Sequence, residues 1–321
     1  MPTIEVTDLV KRYNGITAVN GISFTVNEGE FFGFLGPNGA GKTTTINILC
    51  TLLSPTSGKA EVNGYNCLKQ APSVRSSIGL VFQEITLDNE LTAYENLKFH
   101  CHLYNMGKRE TAERIETLLN IVGLYDRRDD LVRKFSGGMK RRLEVARGLL
   151  HRPKVLFLDE PTLGLDPQTR THVWKFINDQ REKERTTVFL TTHYMDEAEV
   201  CDRIAIIDHG RIISCGTPEE LKKMIKGDTI YLKTLDDNSA GAEMEKNFGI
   251  KPIKLHDGIC FNVESGDKFI PKIFEGLATP IISVNLKKPT LDDVFMHLTG
   301  REIRGDNNNK GGETFRMRKK E

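Results

Sequence analysis

Apolar residues in this chain follow two rhythms. Unbroken runs of four or five suit strands buried on both faces. They occur at Phe31-Phe32-Gly33-Phe34-Leu35, Ile78-Gly79-Leu80-Val81-Phe82, Val155-Leu156-Phe157-Leu158 and Thr187-Val188-Phe189-Leu190. Looser alternation predicts strands at 4–10 and 60–64, and residues 22–35 read as strand, turn, strand. Residues 204–213, with Asp208-His209-Gly210 in the middle, read as a hairpin. Helical spacing takes over elsewhere. Residues 44–53, free of Gly and Pro, predict a helix. Residues 91–122 predict more helix, with Leu97, Leu103, Ile115, Leu118, Leu119 and Val122 as core positions. Ser136 suits the N-cap of a further helix whose apolar face is Leu143, Ala146, Leu149 and Leu150, and Pro153 stops it.

The character changes after Gly227. Strand (229–235), short helix (241–248), alternation turned by Asp257-Gly258 (251–263), helix (269–277) and strand (281–286) make a small α+β module ending near Gly300. The expected division is therefore 1–227, including a helical lobe at about 88–150, and then 228–300. Residues 301–321, with Asn307-Asn308-Asn309 and Lys319-Lys320, are expected to be a disordered tail.

Composition adds bounds. A length of 321 residues suggests two domains, and 38% hydrophobic with 28% charged residues is ordinary for a soluble protein. The formal net charge of +1 gives no global pointer to nucleic acid or anionic lipid. Six scattered cysteines without a C-x-x-C pair read as reduced thiols of a cytosolic protein. Neighbouring side chains diverge on a helix, so His100-Cys101-His102 reads as helix surface rather than a metal cluster. The first residues lack the signature of a signal peptide, and no run is long enough to span a bilayer. Work at a membrane would need a partner to supply the spans.

The chemistry begins at Gly36-Pro37-Asn38-Gly39-Ala40-Gly41-Lys42-Thr43, which matches G-x-x-x-x-G-K-[ST] throughout. The glycines permit a tight loop whose N–H groups converge on a polyphosphate. Lys42 can reach the β/γ-phosphates, and the Thr43 hydroxyl can ligand Mg2+. The helix that follows turns its positive end to the phosphates. Asp159 ends an apolar strand, as a magnesium-binding carboxylate does in phosphate-loop NTPases. The adjacent Glu160 could polarise a water. Tyr13 could stack on a base.

Ser136-Gly137-Gly138, shortly before that strand, completes a set. Over residues 3–227 the chain resembles the nucleotide-binding subunit of an ATP-binding cassette (ABC) transporter. Residues 36–43 resemble Walker A, with Thr44 following, and residues 155–160 resemble Walker B with its catalytic glutamate. Ser136 to Met139 resemble the signature, Gln83 the Q-loop, Gly164-Leu165-Asp166 the D-loop, His193 the switch histidine and Tyr13 the adenine-stacking position. The implied fold is α/β: a P-loop cassette with a helical subdomain and a C-terminal α+β module. The implied mechanism sandwiches ATP between the Walker A of one subunit and the signature of a second cassette, a homodimer being the expected form. Glu160 orients water, His193 holds the γ-phosphate side, and Thr43, Gln83 and Asp159 surround Mg2+.

Met139 departs from the family's usual Gln. It resembles the daunorubicin and multidrug exporter branch, as does Pro289-Thr290-Leu291-Asp292-Asp293-Val294-Phe295. The expectation is an export ATPase for drug-like or lipophilic compounds, peripheral on the cytoplasmic face of the membrane and powering separate permease subunits. A soluble ABC ATPase of ribosomes or DNA is the alternative. It fits less well, because this chain has one cassette and neither coiled coil nor zinc insertion. No nucleic acid is expected. A regulatory module without turnover is disfavoured by the presence of both Glu160 and His193.

Overall fold

The structure is a computed structural model that describes residues 2–225 and 227–300. The expected tail at 301–321 lies outside them. Strands β1 (Pro2–Tyr13) and β2 (Ile16–Asn27) precede β3 (Phe31–Leu35) and α1 (Lys42–Leu49). Then come β4 (Ser57–Val62), β5 (Tyr65–Asn66), α2 (Ala71–Ser77) and β6 (Ile78–Val81). Helices α3 (Ala93–Leu103), α4 (Lys108–Ile121) and α5 (Gly137–Gly148) form the lobe. They are followed by β7 (Val155–Asp159), α6 (Pro167–Glu184), β8 (Thr187–Thr192), α7 (Met195–Ala198), β9 (Arg203–Asp208), β10 (Arg211–Gly216) and α8 (Pro218–Lys222). The remainder is β11 (Asp228–Thr234), α9 (Asp237–Phe248), β12 (Ile253–Leu255), β13 (Gly258–Val263), α10 (Gly266–Gly276), β14 (Ile281–Lys287) and α11 (Leu291–Thr299).

The apolar runs become the middle of one sheet, ordered β10-β9-β3-β8-β7-β6. The pairings from β9 to β6 are parallel, and β10 adds antiparallel to β9. Covered on both faces, these strands have no polar side to show. Phe32 and Phe34 face a second, antiparallel sheet (β2-β1-β4-β5) and meet Phe24 of β2 at ring separations of 5.6 and 5.5 Å. Phe31 and Leu35 face the helices, with Leu156, Leu158, Val188 and Leu190. Burying each such side chain contributes roughly 1.5–3 kcal/mol, so this two-faced core dominates the stability of the cassette.

Some local expectations shift. The strand–turn–strand at 22–35 is present, with its two strands in different sheets. β2 pairs with β1, and β3 crosses into the other sheet between β8 and β9. The helix expected at 44–53 begins at Lys42 and ends at Leu49, where Thr51 turns to φ 63°. The helical stretch at 91–122 breaks into α3 and α4. Leu103, expected in the core, is exposed near that break. Cys101 is buried, His102 is exposed and His100 lies between, so the three residues do face different surroundings.

The C-terminal sheet, β12-β13-β11-β14, has its own core under α9 and α10, including Ile230, Met244, Phe261 and Ile273. The last helix departs from the expected division. Leu291, Val294 and Phe295 of α11 belong to the cassette core, with Leu221 of α8 in the same cluster. Thr290 holds its start in a reciprocal capping box with Asp293. Phe295→Ala should therefore destabilise the whole chain by about 3–5 kcal/mol in chemical denaturation. A loss below about 1 kcal/mol would mean that α11 is not integrated into that core.

Candidate active site

Parallel pairing delivers the ends of β3, β8 and β7 to one edge of the sheet, where α/β proteins place ligands. The loop after β3 is Gly36 to Gly41. A Cβ at Gly36 would lie 2.3 Å from the Ile207 carbonyl oxygen, and one at Gly41 2.4 Å from that of Ala18. Gly41 also sits at φ 106°, closed to ordinary side chains. These glycines let the loop press against its neighbours. Pro37 is half-buried, Asn38 and Gly39 are exposed, and Ala40 is buried, its carbonyl accepting from Gly210 N at 2.9 Å.

Lys42 is buried at the start of α1. Its Nζ donates to the carbonyls of Gly36 (2.9 Å) and Pro37 (3.2 Å) and lies 3.1 Å from Glu160 Oε1. Thr43 is exposed beside it and donates to Asp159 Oδ1 at 3.4 Å, with Thr44 half-buried next in line. Thr191 of β8 also donates to Asp159 Oδ1. Burial raises the Asp159 carboxyl from its ordinary value, against the pull of the Thr191 and Thr43 hydroxyls.

Glu160 occupies a strained left-handed backbone position (φ 46°), held by its N–H donating to Thr191 O at 3.1 Å. Its Oε2 lies 3.2 Å from His193 Nδ1. Burial alone would raise Glu160. The His193 imidazole and the Lys42 ammonium beside it outweigh that and hold the carboxyl below its ordinary value.

Gln83 is exposed just past the end of β6, beside β7. Its position is set from α5. Arg141 donates to the carbonyls of Phe82 (2.5 Å) and Gln83 (2.6 Å) and pairs with the fully buried Glu144. Glu144 in turn accepts from Thr86 N (2.7 Å) and pairs with Arg147. Ser136 caps α5, accepting from Met139 N at 3.3 Å; Ser136 and Gly137 are exposed. Gly138 lies against Thr169 of α6, where a Cβ would sit 2.8 Å from its methyl. Asp166 caps α6 through Thr169. Tyr13 ends β1 partly exposed, with Lys11 Nζ 5.0 Å from its ring centroid.

Lys42, Thr43, Asp159, Glu160 and His193 thus converge, while Ser136 to Gly138 stand on another surface element. Thr191, Thr162, Thr192 and Glu197 escaped the sequence reading. A run of polar residues around His193 was a signal for Thr191, Thr192 and Glu197, and nothing local singled out Thr162.

Comparison with known proteins gives the family. A family described as "ABC transporter" matches residues 19–163, and one described as "ATP-binding protein DrrA1-3-like, C-terminal domain" matches residues 216–299. The linearmycin resistance ATP-binding protein LnrL of Bacillus subtilis is 38% identical across 94% of this chain and 99% of its own length. The daunorubicin/doxorubicin resistance ATP-binding protein DrrA of Streptomyces peucetius is 40% identical across 92% of each. This chain belongs to the ATP-binding proteins of ABC transporters. Among solved structures, an ATP-binding subunit of an ABC transporter superposes with a TM-score of 0.64 at 30% identity, over 69% of this chain and 92% of that one. A dimeric post-hydrolysis ATP-binding cassette bound to ADP and Pi, MJ0796, gives 0.62 at 26% identity, over 67% and 98%. The chain is therefore an ATP-hydrolysing subunit.

The residues fit both ligands of that chemistry. The loop is a glycine cradle at a helix start, suited to phosphate. The hydroxyl of Thr43, the carboxylate of Asp159 and the amide of Gln83 are the hard oxygen donors that Mg2+ prefers. Gly41→Ala should weaken binding of a fluorescent ATP analogue about tenfold or more, since its backbone strain alone is roughly 1–3 kcal/mol. Unchanged affinity in a folded variant would contradict the reading of the loop.

Proposed function

We propose that this cassette powers efflux of drug-like or lipophilic compounds through separate membrane-spanning permease subunits, from the cytoplasmic face of the membrane. The convergence of Lys42, Thr43, Asp159, Glu160 and His193 at one sheet edge carries the hydrolytic part of this reading. The export part rests on relatives named for drug resistance and on one described as a Nod factor export ATP-binding protein, 36% identical across 94% of this chain. Among the described residues no helix is long and apolar enough to cross a membrane, so a partner must supply the pathway.

In the proposed reaction the loop 36–44 binds the ATP phosphates, Lys42 leaves Glu160 for the β/γ-phosphates, and Tyr13 stacks on adenine. Thr43, Asp159 and Gln83 would hold Mg2+, which when bound neutralises phosphate charge. Glu160, freed from Lys42, accepts a proton from the attacking water, and His193 steadies the γ-phosphate side. The exposed Ser136 and Gly137, with the half-buried Gly138, serve the ATP of a second copy through N–H groups at the start of α5. The cleft beside the Gln83 segment has a volume of about 340 Å3 and is lined by Phe82, Thr86, His100, Tyr104, Arg147 and His151, among others. Ile85, the neighbour of Thr86 in sequence, is exposed. The cleft is the proposed seat of a permease helix. The module at 228–300 has a proposed regulatory or dimer-stabilising role.

Glu160→Gln keeps shape and removes the base. It should bind ATP and lose nearly all turnover, and it should accumulate as an ATP-bound dimer on size exclusion. Hydrolysis near the wild-type rate would remove Glu160 from its assigned role. Cysteines at Ile85 and along the cytoplasmic loops of the permease should crosslink. Failure at every pair tested would place the permease elsewhere.

A further inference from the structure

The reacting groups sit on two loops, one after β7 and one after β8, and a carboxylate used by no step above joins them. Glu197 lies in the short helix α7, almost wholly buried. Its Oε1 accepts from the hydroxyl of Thr162, two residues after Glu160. Its Oε2 accepts from the hydroxyl of Thr192, one residue before His193, at 2.6 Å. Thr192 Oγ1 also accepts from Tyr194 N at 2.9 Å, which closes the backbone around His193. Glu160 and His193 meet through a single 3.2 Å approach between two separate loops, with Glu197 bridging the loops behind them.

We propose that Glu197 is a positioning residue for hydrolysis, stapling the loop after Glu160 to the loop carrying His193 through Thr162 and Thr192. The inference rests on the roles given above to Glu160 and His193. A buried carboxylate with two hydroxyl donors is costly to place, and its siting at this junction is what a fixed geometry requires. Burial pushes the Glu197 carboxyl up to about 7, against Thr192 and Arg170; Asp196 raises it further and His193 lowers it. The Cys201 thiol is a further titratable neighbour, its Sγ donating to the Glu197 carbonyl. Ionised, the carboxylate accepts from both threonines. Protonated, it gives up one acceptor, so the staple loosens as pH falls through neutrality.

The test uses the full chain with ATP and the variants Glu197→Gln, Thr162→Val, Thr192→Val and Glu160→Gln. Each of the first three should lower kcat on the order of tenfold to a hundredfold, with the Kd of a fluorescent ATP analogue within about twofold of wild type. Glu197→Gln combined with Thr162→Val should be no slower than Glu197→Gln alone, because both break one staple. The fall in wild-type kcat on acidification through pH 7 should be missing from Glu197→Gln. Wild-type kcat in Glu197→Gln, full additivity in the double variant, or an unchanged pH profile would overturn the proposal. Should Glu197→Gln not fold, the two valine variants preserve shape, and normal kcat in both would overturn it equally. Glu160→Gln separates the two readings. If it stays active, the role of Glu160 fails; if it is inert while Glu197→Gln is normal, only the staple fails.

Discussion

The pairing of β7 with β8 sets where the reacting groups stand. Asp159 is registered against Thr191, and the N–H of Glu160 donates to the Thr191 carbonyl. On the other side of β8, the N–H of Gly36 donates to the Thr192 carbonyl at 3.2 Å. Two chain segments distant in sequence, 159–160 and the loop at Gly36, are tied to one strand end. A slip of one residue in a strand would turn its side chains to the other face. The five-phenylalanine contact of Phe24, Phe32, Phe34, Phe157 and Phe189 opposes such a slip from below, since all of these rings meet around Phe189 or Phe24. Core packing and the geometry of the proposed site are therefore one constraint, and the strained φ of Glu160 is maintained by it.

Helix α5 extends that constraint into the lobe. Ser136 caps its first turn, and Arg147 near its last turn lines the cleft. At about 1.5 Å per residue the helix is roughly 18 Å long, so one element joins Ser136 and Gly137, proposed to serve a second nucleotide, with the cleft proposed to seat a permease helix. Glu144, between Arg141 and Arg147, anchors the Phe82–Thr86 segment to the same helix. A buried charge cluster of this kind is poor evidence for extra stability, but every one of its charges is paired and hydrogen-bonded to backbone, which fixes the segment in register with α5.

Much of this was legible in the chain itself. Contiguous apolar runs marked the parallel strands, because strands covered on both faces carry no polar alternation. The glycine spacing before Lys42 marked the phosphate loop, because few residues tolerate its backbone. Other features depended on distance across the fold. Nothing local shows that β2 and β3 part into different sheets, or that α11 leaves its own module to bury Phe295 in the cassette. Leu103 has helical spacing and still faces solvent, since the break before α4 leaves nothing to cover it. Thr162, Thr192 and Glu197 are ordinary polar residues until strand pairing brings them together.

The central claim is that the nucleotide site is completed by a second chain. It is tested most directly by mixing Lys42→Ala, which lacks the phosphate-binding ammonium, with Ser136→Arg, which blocks the signature surface. Each variant alone should be nearly inactive. A mixed dimer keeps one site with an intact Lys42 from one chain and an intact Ser136 from the other. With random pairing and independent sites, activity should return to about a quarter of wild type, or less if the sites are coupled. Crosslinking must show that mixed dimers form. Mixed dimers without restored activity would contradict a head-to-tail site with independent firing, and full activity in either variant alone would contradict the shared site altogether.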